Sequence, residues 1–182
     1  MADLEYIGAY RLQRLLGSGG MGEVYLAFDD RLNRNVAIKR IRADAEMSPE
    51  RRQRLRREAQ AVAALNHPCI VQIYDILEDE SGDSIVMEYV EGQPLTRLLA
   101  QGLDGSQAQL AHQVAEGLGE AHAKRLVHRD LKSDNIMVTP AGQVKILDFG
   151  LAKQFSQPMS EESLTQAGTL LGTTHSMSPE QA

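Results

Sequence analysis

His128, Arg129, Asp130, Lys132, Asp134 and Asn135 crowd a histidine, two cations, two carboxylates and an amide into the eight residues HRDLKSDN. A carboxylate such as Asp130 can accept a proton from a hydroxyl nucleophile. Lys132 can steady charge on a phosphoryl group in transit, and the amide oxygen of Asn135 suits a hard cation. His128 follows Val127 and reads as an inward-packed pivot. A surface loop can hold such a mixture by composition alone, so other residues must decide. Asp148 supplies one of them. It ends the apolar run VKIL, where a carboxylate without a partner is costly to bury, and a divalent metal is a natural partner.

Two further groups complete the requirements of phosphoryl transfer, which are a phosphate cradle, a cation, a divalent metal and a positioned base. Gly17, Gly19 and Gly22 form G-x-G-x-x-G within GSGGMGEV. The run that follows, VYLAF, is β-branched and aromatic, so the glycines read as the turn of a hairpin that can close over phosphates. A dinucleotide-binding fold would place a helix there, which leaves an oxidoreductase with only the glycines in its favour. In VAIK, strand alternation sets Ala37, Lys39 and Ile41 on one face and Val36 and Ile38 on the other. Lys39 alone is more often a snorkelling surface lysine. Glu58 changes that reading. It shares a helix face with Leu55, Ala59 and Val62, and an inward carboxylate calls for a cation, for which Lys39 is the candidate.

The elements that must position these groups are legible in outline. Residues 10–41 read as an antiparallel meander of three strands split by the glycine cluster and the polar turn DDRLNRN. Ser48-Pro49-Glu50 is a helix start, and His67-Pro68 stops the helix after about Leu65. CIVQIYDIL and SIVMEYV are two more strands. After a linker near Glu91-Gly92 the pattern turns helical, with PLTRLLAQG short and Ser106 to Arg125 longer. Gly117 and Gly119 each weaken the longer helix by roughly 1 kcal/mol. LVH and NIMV read as short strands on either side of the opening stretch, and VKIL as another. Residues 154–174 lack periodicity, and a structureless stretch of that length inside a domain points to function. The basic run RRQRLRR reads first as a solvated helix face and second as a dock for a phosphorylated loop.

Composition bounds the rest. The chain of 182 residues has 42% hydrophobic and 24% charged residues, a net charge of −6 and few aromatics, which points away from nucleic acid as a partner. Its single cysteine, Cys69, excludes an internal disulfide and a C-x-x-C metal site, and sits among apolar residues as a small core side chain. No apolar run approaches the ~20 residues needed to cross a bilayer. The expected location of this segment is cytoplasmic, with a membrane anchor conceivable only in a longer parent.

In order, G-x-G-x-x-G-x-V, V-A-I-K, the inward Glu58, H-R-D-L-x-x-x-N, D-F-G and S-P-E resemble the eukaryotic-type serine/threonine protein kinases, over residues 10–182. The resemblance implies an α+β, protein-kinase-like two-lobed fold: a β-rich lobe with one helix over residues 1–91 and a mainly helical, incomplete lobe over 92–182. It implies that Leu16, Gly17, Ser18, Gly19, Gly20, Met21, Gly22, Glu23 and Val24 cover ATP. Ala37 and Met87 would line the adenine pocket, and Glu88 to Val90 would bind adenine through the hinge backbone. Lys39 would hold the α- and β-phosphates and pair with Glu58, Asp130 would accept the proton, and Lys132 would contact the γ-phosphate. Asn135 and Asp148 would hold Mg²⁺, with Mn²⁺ as an alternative. Residues 151–174 become an activation segment with Thr165, Thr169, Thr173 and Thr174 as phosphosites, a phosphate there pairing with Arg129. The implied partners are proteins bearing Ser or Thr, with dimerisation serving autophosphorylation, and the MSPEQ ending looks most like bacterial members. Ser176 stands about where the family has a tyrosine. The chain ends just past Pro179-Glu180, before the family's later helices, which implies either a fragment or a chain that a partner completes. The alternative is a nucleotide-binding but inactive fragment.

Overall fold

The computed structural model describes residues 5–19, 22–41, 49–79, 82–102 and 105–149. Gly20, Met21, Ser48, Gly150, the four threonines expected as phosphosites and the S-P-E motif lie outside the described residues.

The β-branched runs form a six-stranded antiparallel sheet with strand order β1-β2-β3-β4-β6-β5. The strands are β1 (Tyr6–Ile7), β2 (Tyr10–Gly19), β3 (Gly22–Asp29), β4 (Arg34–Ile41), β5 (Ile73–Asp79) and β6 (Gly82–Glu88). The expected meander is β2, β3 and β4. Its polar turn is closed by Asp29, buried at 1% exposure, whose Oδ1 accepts from the backbone N–H of Arg31 and Leu32 at 3.2 and 3.1 Å. Helix α1 (Pro49–Ala63) follows β4 and packs against β5.

The second half carries α2 (Leu95–Gln101), α3 (Gln107–Ala123) and a three-stranded sheet of β7 (Gln93–Pro94), β8 (Ile136–Val138) and β9 (Val144–Ile146). One expectation fails here: residues 126–128, read as a strand, make no ladder. Leu126 N–H instead caps α3 by donating to Ala121 O at 2.9 Å, and His128 turns inward. Val127, 60% exposed, is the outward residue of that β-looking run. CIVQIYDIL is likewise a strand only from Ile73.

The two faces of β4 are buried in different cores, as the alternation requires. Ala37 and Ile41 belong to the larger cluster with Ala59, Val62, Ile85 and Met87, whereas Val36 and Ile38 join Ile7, Tyr10, Ala27 and Val86. The larger cluster continues past Glu91 into Leu110, Ala121, Ile136, Val144 and Ile146. Its bridge is the segment after α1. Ile146 N–H donates to Cys69 O at 2.7 Å, and Val71 N–H donates to Ile146 O at 3.0 Å. Cys69 is buried there, and burial pushes its thiol up from the ordinary value. Gly117 now has a reason. A Cβ on it would stand 2.9 Å from Ile146 Cδ1 and 3.3 Å from Cys69 Cβ, so glycine is what lets α3 approach β9.

Candidate active site

Lys39 sits in the middle of β4, registered with Val24 on one side and Ile85 on the other. It is 7% exposed, and its ammonium meets Asp148 Oδ1 at 2.7 Å. The sequence assigned Asp148 to a metal and Glu58 to Lys39. Glu58 is half-buried on α1, while Asp148 is the carboxylate ion-paired with Lys39. No sequence signal announces that pairing, because it depends on how β9 is docked under the first sheet.

Asp148 has φ 52, a left-handed conformation that is costly for a residue with a Cβ. Its neighbours hold it there. Leu147 N–H donates to Asn135 O at 2.8 Å, and Leu147 O accepts from His128 Nε2 at 2.7 Å. Phe149 is buried, with its ring centroid 4.8 Å from that of His128. His128 is therefore the pivot its apolar flank suggested. Burial holds its pKa below the ordinary value, opposed mainly by the hydrogen bond to Leu147 O. Its other ring nitrogen, Nδ1, accepts from Asp130 N–H at 3.3 Å, which fixes the neutral Nε2–H tautomer.

The same histidine thereby ties Asp148's segment to Asp130, whose N–H also donates to His128 O at 2.8 Å. Arg129 between them has φ 62 and is exposed. Asn135, at the end of the 3₁₀ turn Ser133–Asn135, donates from Nδ2 to Asp130 O at 2.8 Å and to Asp130 Oδ2 at 3.3 Å. Lys132 Nζ lies 3.5 Å from the same Oδ2. Sequence reasoning missed the far anchor of this turn. Thr96, in the first turn of α2, contacts Ser133 Oγ and Asp134 Oδ1, both at 2.8 Å.

β2 and β3 pair antiparallel at the glycine run, with Gly19 in register with Gly22. A strand, β3, follows it, which excludes the dinucleotide-binding arrangement. At Gly17 and Gly19 an added Cβ would meet no atom within 4 Å, so the fold itself does not require glycine there. Gly22 differs: its φ is +136 and a Cβ would stand 2.0 Å from Arg40 O. Leu16, Ser18 and Glu23 are on the exposed or half-exposed side of the hairpin, and Val24 packs on the larger core. Ala37 and Met87 are direct register partners on β4 and β6, and both are buried. Glu88, Tyr89 and Val90 continue from β6 toward β7 and are half-buried.

The donor chemistry of this side-chain set is compatible with a divalent cation shared with a phosphate-bearing ligand. Asn135 and Asp148 offer two oxygen donors, and Mg²⁺ is commonly held by one or two carboxylates together with substrate phosphates.

This six-stranded sheet with one helix, above a catalytic-loop-like turn and a β8–β9 hairpin, is the protein kinase fold. The comparisons agree. The model of the protein kinase domain matches residues 10–181, and the chain belongs to that family. It is 44% identical over 182 residues to a probable serine/threonine-protein kinase of Streptomyces coelicolor, covering 96% of this chain and 27% of that protein. It is 42% identical over 186 residues to the serine/threonine-protein kinase PknA of Mycobacterium tuberculosis, covering 96% of this chain and 42% of that one. The crystal structure of the Mycobacterium tuberculosis PknI kinase domain superposes with a TM-score of 0.71 at 31% identity, covering 84% of this chain and 64% of that domain. The chain thus spans less than half the length of these curated relatives. No helix among the described residues is long and apolar enough to cross a membrane.

Proposed function

We propose that this chain is the catalytic segment of a serine/threonine protein kinase that transfers the γ-phosphoryl group of ATP to Ser or Thr hydroxyls of proteins. The observation that carries it is the convergence of Lys39, Asp148, Asn135 and Asp130 through the contacts of 2.7, 2.8 and 3.3 Å already described. The names of the relatives point the same way.

In this reading Lys39 turns its ammonium to the α- and β-phosphates, with Glu58 as its second carboxylate. Gly17 and Gly19 leave room for the hairpin backbone to approach the phosphates. Ala37, Met87 and the hinge, Glu88 to Val90, take the adenine. Asn135 and Asp148 would hold the divalent cation, which supplies charge neutralisation on the phosphates when bound. Asp130 accepts the proton of the attacking hydroxyl as its oxygen bonds the γ-phosphorus. The bond to the bridging oxygen breaks and ADP leaves. Lys132, 3.5 Å from Asp130, is placed to offset charge on the γ-phosphoryl oxygens. The substrate is a protein with an accessible Ser or Thr, the setting is signalling in a cytoplasmic segment, and phosphorylation of the segment after Asp148 tunes it.

The test is transfer of labelled phosphate from ATP to a Ser/Thr peptide library with Mg²⁺, using the full chain. Phosphate appearing on Ser or Thr, and absent when Mg²⁺ is chelated, is the expected result. Nucleotide binding with no transfer under any metal would refute the reading.

A further inference from the structure

We propose that Glu88 and Lys145 form a positioning pair on the far side of the hinge that sets the spacing across the nucleotide cleft; this rests on the kinase reading above. Lys145 Nζ lies 2.7 Å from Glu88 Oε1 and 2.8 Å from Oε2, with the two side chains 16% and 25% exposed. A cation centred on both oxygens of a half-buried carboxylate is better ordered than an ordinary surface pair.

Its place in the fold gives it a task. Glu88 stands three residues after Ile85, which is in register with Lys39; Lys145 stands three residues before Asp148. Two ion pairs therefore join the six-stranded sheet to the β9 segment with opposite polarity. In one the sheet supplies the cation, Lys39, and in the other it supplies the anion, Glu88. The first pair must yield when phosphates and a cation enter, because both of its members are needed there. The second has no such duty and can stay closed through the cycle.

Glu88 is also wired to α1. Its Oε2 accepts from Gln72 N–H at 3.3 Å, and its own N–H donates to Gln72 O at 2.9 Å. Gln72 Nε2 donates in turn to Ala63 O, at the last residue of α1, at 3.0 Å. Gln72 thus joins the end of the helix bearing Glu58 to the hinge, and Lys145 joins the hinge to the strand leading to Asp148. Losing Lys145 frees the hinge carboxylate from β9 without touching any group assigned to the phosphates.

A charge-swap cycle in the full chain tests this: Lys145→Glu, Glu88→Lys, and the two together, read by ATP·Mg²⁺ dissociation constant and by KM and kcat. Each single variant is expected to weaken nucleotide binding by about tenfold, and the swap to recover most of it, because residues in contact couple. For Lys145→Glu, which lies outside the groups assigned to the nucleotide, KM for ATP should carry the effect, with kcat within about threefold of the parent. Lys145→Met and Glu88→Gln, which keep shape and remove charge, serve if the reversals unfold the chain; they should raise KM by similar factors and not additively. Additive losses with no recovery in the swap would overturn the proposal while leaving the kinase reading intact. A parent chain that binds no ATP·Mg²⁺ would overturn both.

Discussion

Lys39 and Asp148 are far apart in the chain, yet their charged atoms meet at 2.7 Å, one buried in β4 and the other just past β9. The contact is made with Asp148 in a left-handed backbone conformation, at φ 52, which costs on the order of 1–3 kcal/mol in a residue with a side chain. That strain is sustained by the bonds from Leu147 to His128 and Asn135. Under the proposed function this carboxylate and ammonium would exchange partners, phosphates taking the carboxylate's place and a cation the ammonium's.

Replacing Asp130 by Asn should therefore leave the fold standing and remove the proton acceptor. The expected loss in kcat is about 10²–10⁴-fold, the usual worth of a general base. Lys39→Met should abolish transfer while keeping the aliphatic stem packed beside Val24 and Ile85. Radiolabelled phosphate incorporation alongside circular dichroism checks both. An Asp130→Asn chain with undiminished turnover would remove Asp130 from the role assigned to it.

Strand and helix order was readable in the sequence because periodicity reports local burial. The split of Ala37, Lys39 and Ile41 from Val36 and Ile38 was readable for the same reason. The pairing of Lys39 with Asp148 was not, because it is a relation between two sheets and no local pattern encodes docking. LVH misled because its β-branched character serves packing and helix capping, with His128 directed inward, so only one of its residues looks outward. Thr96 was unreadable as an anchor, since a threonine early in a helix is ordinary until the 3₁₀ turn is seen beside it. Gly117 weakens its helix, but a glycine kept inside a helix at a cost is also a mark of close approach.

Gly22 and Gly17 should separate stability from binding. Gly22→Ala forces a Cβ onto Arg40 O at a φ of +136, and should cost about 2–3 kcal/mol in urea unfolding. Gly17→Ala and Gly19→Ala meet open space and should change stability by less than about 1 kcal/mol. Their ATP affinity should nonetheless fall, because the methyl intrudes where phosphate must approach. Equal affinity for ATP in all three variants and the parent would show that the hairpin does not cover the nucleotide.

His128 predicts a pH dependence. Its pKa is lowered in the folded chain from the ordinary 6.5, chiefly by burial, so between the folded value and 6.5 the unfolded chain binds more protons. Stability then rises with pH through that window, is fully present above about 6.5, and is lost as pH falls toward the folded value. Urea midpoints measured from pH 5 to pH 8 should show this rise. His128→Phe, which keeps the ring against Phe149 but removes the titration, should flatten it. A parent whose midpoint is as high at pH 5 as at pH 7.5 would contradict the buried neutral imidazole.

The last prediction concerns the threonines after Asp148. Arg129 is exposed, held at φ 62 between His128 and Asp130, so its guanidinium is available beside the proposed base without disturbing it. A phosphothreonine carries roughly −1.5 to −2 charge and three acceptor oxygens, which suit the fork of an arginine. Autophosphorylation at Thr165 or Thr169 should therefore raise kcat, and Arg129→Ala should erase that gain while leaving the activity of the unphosphorylated chain within about twofold, since a phosphate-dependent contact is all it removes. Mass spectrometry after incubation with ATP·Mg²⁺, paired with kinetics of phosphorylated and phosphatase-treated chains, decides it. Phosphate found on neither threonine, or a gain that survives Arg129→Ala, would break the link between this arginine and the segment it is placed to hold.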